Sequence, residues 1–262
     1  MKAEPSMGLV LAGGLHHLFL SRMPTLLEQL GPIKATSFHV ARRSANSLHA
    51  GYAVSPYSAL EGCSLIWIAV AESAFDRVAL DLAAQMPIHR TMIVLCDMVR
   101  DSASPNPLRS AGARIATVNQ VSVGRAAILM GEGHEDTLRR LRRLFAPEQR
   151  RFMEVLPAAK ATYFAGVNLA SQLLLPWIDA AAECLRNAGL SRAEATELIA
   201  SLSERSVRSY SSAGRKAWNR RSAAMLRKAL EKDAERLGAL DPSLGALYAE
   251  GIRLSFAHFG NP

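Results

Sequence analysis

The order of apolar segments predicts an α/β protein with a doubly wound, mostly parallel sheet, followed by an all-α helical domain. Two observations carry that expectation. Up to residue 156, short apolar runs alternate with helix-like stretches at the spacing of β-α-β units. After Pro157 helical spacing dominates to the end. The domains are therefore expected over residues 1–156 and 157–262.

Residues 7–11 form a short apolar strand, and LHHLFLSRMPTLLEQLG reads as a helix stopped by Gly31-Pro32. Pro24 inside that stretch predicts a break near Met23, because proline lacks the N–H that a helix interior needs. Residues 35–40 read as the second strand, with a short helix over 46–49 and a brief strand over 52–54. SLIWIAVAE is a continuous apolar run, the kind buried on both faces of a parallel sheet. A helix over 74–85, a strand over 91–96 and a short helix over 107–111 follow. Strands over 113–118 and 126–130, an arginine-rich helix and a strand over 152–155 complete the first half.

In the second half, helices are expected over 160–188, 191–210, 219–236 and 242–259. Ser191 with Glu194 makes a capping box, and Asp241 before Pro242 is an N-cap.

Composition narrows the class. With 49% hydrophobic and 21% charged residues, the chain has globular rather than disordered composition. Cys63, Cys96 and Cys184 are scattered and form no C-x-x-C pair, which fits reduced thiols and a cytoplasmic setting, with no structural zinc. The N-terminus lacks the pattern of a secretory signal, and the most apolar stretch, 164–185, carries Asn168, Gln172, Asp179 and Glu183. A buried helix is expected there, with no membrane span. The net charge of +8 raises nucleic acid as a partner, through RRLRR and the basic stretch 205–221. RRLRR, however, lies on a helix whose leucines face inward, and no aromatic residues are interleaved for base stacking.

Strand, then glycines, then helix is where a Rossmann-type sheet places a pyrophosphate. Glycine lets the backbone approach, and a helix N-terminus offers free N–H groups. LVLAGGLHHLFL has that order, with Gly13, Gly14, Leu15 and His16 as the candidate pyrophosphate contacts; Gly13-Gly14 as a mere tight turn is the alternative. In NAD-binding sheets an acid about 20 residues further on holds the ribose 2′-hydroxyl. SFHVARRSAN has Arg42, Arg43 and Ser44 in that region, residues that suit a 2′-phosphate, so the expected cofactor is NADP. Ala69, Val70 and Ala71, at the end of IWIAVAE, are expected along the same cofactor.

The chain resembles the Rossmann-like family with a C-terminal domain of unknown function 2520. That family is related to pyrroline-5-carboxylate reductase and to the β-hydroxyacid and 6-phosphogluconate dehydrogenases. The resemblance rests on the glycine turn, IWIAVAE, PLRSAGARIATVNQV, KATYFAGVNLASQLLLPWIDAAAECLRNAGLS and DPSLGALYAEG, in that order. It implies hydride transfer to or from a small acid or imine in an interdomain cleft, and a homodimer formed through the helical half. It also implies a catalytic lysine at the start of that half, which falls on Lys160. Tyr163 and Asn168, three and eight residues along, are the expected supports, and a surface lysine at a helix start is the alternative.

The chain departs from the family at several polar positions. Leu95-Cys96-Asp97-Met98 and Asn119-Gln120 stand where relatives carry histidine, and Tyr163-Phe164 stands for Tyr-His. These changes keep a second reading open, a non-catalytic NADP(H)-binding sensor or scaffold.

Overall fold

The computed structural model describes residues 7–13, 20–96, 99–104, 106–123, 126–218 and 220–259. The chain divides into two compact units, Met1–Val167 and Asn168–Pro262. The sheet ends at Val155, near the boundary read from the sequence at 156; by packing, the first unit runs on through Val167.

The first unit is built on one sheet of eight strands in the order β3-β2-β1-β4-β5-β6-β7-β8. In chain order these are β1 (Met7–Ala12), β2 (Leu30–Ala35), β3 (Tyr52–Val54), β4 (Leu65–Val70), β5 (Met92–Leu95), β6 (Arg114–Val123), β7 (Ala126–Gly133) and β8 (Arg151–Val155). All neighbours run parallel except β6 and β7, which pair as an antiparallel hairpin. The fold is thus the doubly wound sheet that the alternation of segments predicts.

Helices cover both faces, because strands with burial on both sides need apolar cover on both. One layer packs Leu26, Ala41, Leu48, Leu138, Leu141 and Phe145 against the sheet, from α1 (Pro24–Leu27), α2 (Phe38–Leu48) and α5 (Glu135–Phe145). The other packs Phe75, Val78, Leu82 and Leu108, from α3 (Glu72–Gln85) and α4 (Pro107–Ser110). Trp67 of β4 is fully buried in the first layer, its ring 6.1 Å from that of Phe145.

Pro24 breaks the chain as expected: a single 3-10 turn, Leu20–Arg22, precedes it and α1 starts at Pro24 itself. The stop at Gly31-Pro32 is a correction, since both residues lie in β2. Proline fits there because β1 and β2 are out of step: Met7 faces Leu30, whereas Leu9 faces Ile33. The irregularity removes the need for an N–H at Pro32. The second strand accordingly starts earlier than residue 35, and residues 38–40 begin α2 instead of ending a strand. Phe38 and Val40 alternate like a strand, but Ser37 caps a helix: its Oγ accepts from the Val40 N–H at 3.2 Å.

The helix expected over 160–188 is two helices, α6 (Lys160–Leu169) and α7 (Leu175–Asn187), parted by a 3-10 turn, Gln172–Leu174. Pro176 opens the second, where a missing N–H costs nothing. The second unit continues with α8 (Arg192–Ala213), α9 (Arg220–Leu240) and α10 (Pro242–Phe259). Ser191 and Glu194 form the capping box, and the Asp241 carboxylate accepts from the N–H groups of Ser243 and Leu244.

Replacing Trp67 by alanine empties the centre of the larger core layer. We expect Trp67→Ala to lower the unfolding free energy by about 3–5 kcal/mol, measured by urea denaturation followed by circular dichroism.

Candidate active site

The helices that follow β1 and β4, α1 and α3, pack on opposite faces of the sheet, and in sheets of this order ligands bind in the crevice outside the C-terminal ends of such strands. Ala12 pairs with Val70, and the Ala71 N–H donates to the Ala12 carbonyl at 2.6 Å. Gly13 follows with φ at +65°, a left-handed conformation that favours glycine. A Cβ at Gly13 would sit 3.3 Å from the Ala71 Cβ. Two minimal side chains therefore keep the backbone approachable at this point. Ala69 and Val70 are buried in the two core layers, leaving Ala71 as the member of that trio that reaches the surface. Gly14, Leu15 and His16 lie outside the described residues.

Arg42, Arg43 and Ser44 are not in a loop after the second strand. They lie within α2, with Arg42 and Arg43 exposed and Ser44 half-buried. The residues that leave β2 are Thr36 and Ser37, both exposed, next to Ala35, which pairs with Leu11. Sequence spacing placed the arginines one turn of helix too close to the strand, because β2 starts and ends earlier than its apolar pattern suggests.

A buried polar cluster occupies the α3/α4 face of the sheet where β6 and β7 meet. Its centre is Glu132 of β7, fully buried and opposite Thr117 of β6. A carboxylate there is tolerable only with donors around it. Oε2 accepts from the Ser102 N–H at 2.7 Å and from the Thr117 hydroxyl at 3.4 Å. Oε1 accepts from the Ser102 hydroxyl at 2.7 Å and from the Ala158 N–H at 3.2 Å. One side chain thus ties together the segment after β5, strand β6 and the turn before α6. Asn119, two residues beyond Thr117 on the same sheet face, is also buried, and its Oδ1 has no hydrogen-bond partner among the described residues.

Lys160 opens α6 and is not a surface residue: it is 1% exposed, and its Nζ donates to the Arg100 carbonyl at 2.6 Å. The Arg100 guanidinium lies 4.4 Å from the centre of the Phe75 ring and 3.6 Å from the Asp76 carboxylate, in the first turns of α3. That helix begins directly after Ala71, so contacts run from the sheet crevice through Arg100 to Lys160. Tyr163, one turn along α6, is half-buried, and burial pushes its phenol above the ordinary range. Asn168, near the far end of α6, is exposed, so the helix does not bring it beside the lysine's buried amine.

Sequence reasoning did not single out Glu132, Ser102, Thr117 or Arg100. The signal was an acid closing the apolar run AAILMGEG, but its donors come from distant segments. Three arginines of α5 engage partners within the first unit: Arg139 pairs with Glu135 and Asp136, Arg142 with Glu154, and Arg140 donates to the Ser64 hydroxyl. Among the described residues no group of three His, Cys, Asp or Glu side chains is arranged to hold a metal ion. No described helix is long and apolar enough to cross a membrane.

Residues 127–250 match the family described as Domain of unknown function (DUF2520). A search of curated protein sequences finds no match. Solved structures share the fold at low identity. A candidate NADP oxidoreductase from Bacteroides fragilis is 12% identical with a TM-score of 0.70, covering 95% of this chain and 96% of its own. A pyrroline-5-carboxylate reductase from Coxiella burnetii is 11% identical with a TM-score of 0.55, covering 99% and 100%. A reductive aminase from Aspergillus terreus, in complex with NADPH and ethyl levulinate, is 14% identical with a TM-score of 0.61, covering 98% and 96%.

Ala158, whose N–H is held by Glu132, has φ at +63°, where a side chain is strained. We expect Ala158→Gly to leave stability unchanged or raise it by up to about 1 kcal/mol, read from urea denaturation midpoints.

Proposed function

We propose that this chain, which carries a DUF2520 domain in its C-terminal region, is an NADP-dependent oxidoreductase acting on a small acid or imine. The observation that carries the reading is the juxtaposition of Gly13 and Ala71 at the crevice of a sheet shared with such oxidoreductases. A Cβ at Gly13 would press on the Ala71 Cβ at 3.3 Å, so the small residues present at both positions suit the close approach of a dinucleotide. Gly13 with Gly14, Leu15 and His16 would hold the pyrophosphate, and Ala69, Val70 and Ala71 would flank it. Arg42 and Arg43, exposed on α2, with Ser44 beside them, would reach the 2′-phosphate together with Thr36 and Ser37 at the strand end.

When bound, the cofactor supplies or accepts the hydride. The chain's own residues handle the proton. Lys160 Nζ would exchange a proton with the substrate's hydroxyl, carbonyl or imine nitrogen. The Tyr163 phenol would donate a hydrogen bond, and the buried Asn119 Oδ1 would accept one from a substrate N–H. Asn168, exposed two turns further along the same helix, would act only as a more distant support.

A second reading has its own observation. Lys160 is buried and its amine is bonded to a backbone carbonyl, which suits a structural lysine in a cofactor-binding sensor or scaffold without turnover.

The second unit is proposed to dimerise with a second copy. Among its described residues only Ala195, Leu244 and Gly245 are buried, whereas Trp177, Leu198, Leu202, Val207 and Leu254 are exposed. An apolar groove of about 940 Å³, lined by Trp177, Leu202, Trp218, Tyr248 and Phe256, lies within this unit. So much uncovered apolar surface is the pattern of an obligate interface.

Fluorescence titration tests the cofactor reading. NADPH is expected to bind more tightly than NADH. Gly13→Val should weaken both by at least about tenfold, through backbone strain and the contact with Ala71. Arg42→Ala should weaken NADPH alone by about three- to tenfold. Equal or better binding of NADH, unaltered by Arg42→Ala, would reject NADP. NADPH oxidation with a cyclic imine, lost in Lys160→Met, separates the enzyme from the sensor. For the dimer, light scattering should report twice the chain mass, and Leu202→Glu should halve it; a wild-type monomer would reject the assignment.

A further inference from the structure

We infer that Glu132 is a positioning residue for the amine of Lys160, acting through the segment 99–104 and the turn that precedes α6. The functional meaning of this inference rests on the reading of Lys160 as the proton-transfer residue; the geometry does not.

Three observations converge on it. First, the Glu132 carboxylate is fully buried and each of its oxygens takes one backbone N–H and one hydroxyl. An arrangement that complete leaves little freedom to the segments that donate. Second, the two backbone donors bracket the lysine's contact. Ser102 lies two residues after Arg100, whose carbonyl accepts from Lys160 Nζ, and Ala158 lies two residues before Lys160. The same carboxylate therefore fixes both ends of the Lys160–Arg100 contact. Third, Ala158 is held at φ +63°, a conformation that persists only where surroundings enforce it. Its N–H points at Glu132 Oε1, and the helix carrying Lys160 starts two residues later.

Charge and shape both matter to this role. Glutamine at 132 would keep the side-chain length but replace one acceptor oxygen by a donor NH2. That group would face an N–H and a hydroxyl, and the segment 99–104 or the turn at Ala158 would have to move away. Aspartate would keep both acceptors on a shorter stem and hold one of the two segments. The lysine side chain would then lose its fixed meeting point with the Arg100 carbonyl.

The test reads the amine directly, without cofactor or substrate, by pulse acetylation of the whole protein followed by peptide mass spectrometry. In the wild type, Lys160 should label far more slowly than Lys34, Lys228 and Lys232. Glu132→Gln should raise the Lys160 rate by about tenfold or more while the other three stay within about twofold, because only the local opening equilibrium changes. Glu132→Asp should fall between the two. Ser102→Ala, which removes a hydroxyl donor but no buried charge, should raise the rate by about threefold if Glu132→Gln does not fold. A Lys160 rate unchanged in these variants would overturn the inference. So would a parallel rise at Lys34, which would mean general loosening of the sheet. Failure of the protein to reduce any imine or to turn over any small hydroxy or keto acid, with the labelling pattern intact, would reject the oxidoreductase reading alone.

Discussion

A carboxylate enclosed in an apolar sheet face is the constraint around which the first unit is organised. Glu132 cannot be solvated where it lies, so protein groups must stand in for water. They come from three places in the chain: the segment after β5, strand β6, and the turn before α6. Meeting that demand brings Arg100 and Lys160 together, and places the left-handed Ala158 between the last strand and the helix. Removing the charge together with its donors would be tolerable; removing one without the others would not, since a buried group stripped of its partner retains the full desolvation penalty.

A contrasting economy governs the crevice between β1 and β4. There the chain withdraws side chains instead of packing them. Gly13 and Ala71 leave backbone and little else, and Gly13 itself is held at a positive φ. Arg100 joins the two regions, with its guanidinium against Phe75 and Asp76 at the start of α3 and its carbonyl under Lys160. The second unit is different again. Its helices have sound local signals, such as the capping box at Ser191 and the Asp241 cap, yet enclose few side chains of their own.

Most of the sheet was legible in the sequence because buried parallel strands are written as apolar runs. IWIAV, MIVL and GLVLA needed no context to be read. The failures have physical causes. Pro32 looked like a helix stop, but an irregular register lets a strand carry it; a register between strands is not a property of either one alone. Phe38 and Val40 looked like strand residues until Ser37 capped them as a helix. Arg42 and Arg43 moved with that change, from a loop to the second turn of α2. Lys160 stands out only through the family resemblance, and its burial is not legible in the sequence, because the carbonyl it meets lies 60 residues upstream at Arg100. Glu132 was invisible for the same reason: its meaning lies in partners, and partners are a property of the fold.

One small contact bears on how the chain comes to be folded. The Leu26 N–H, in the first turn of α1, donates to the Glu148 carboxylate at 2.7 Å, from a residue 122 positions later in the chain. Arg150 likewise reaches back to the carbonyl of Arg22. On a ribosome, β1 and β2 emerge long before the segment that completes α1 exists. The start of α1 therefore stays unmet until residues 148–150 have been made. Such distant pairing slows folding and lengthens the time that apolar strand surface stays uncovered. The contacts of Arg22 and Leu26 are therefore completed only after residues 148–150 have been made.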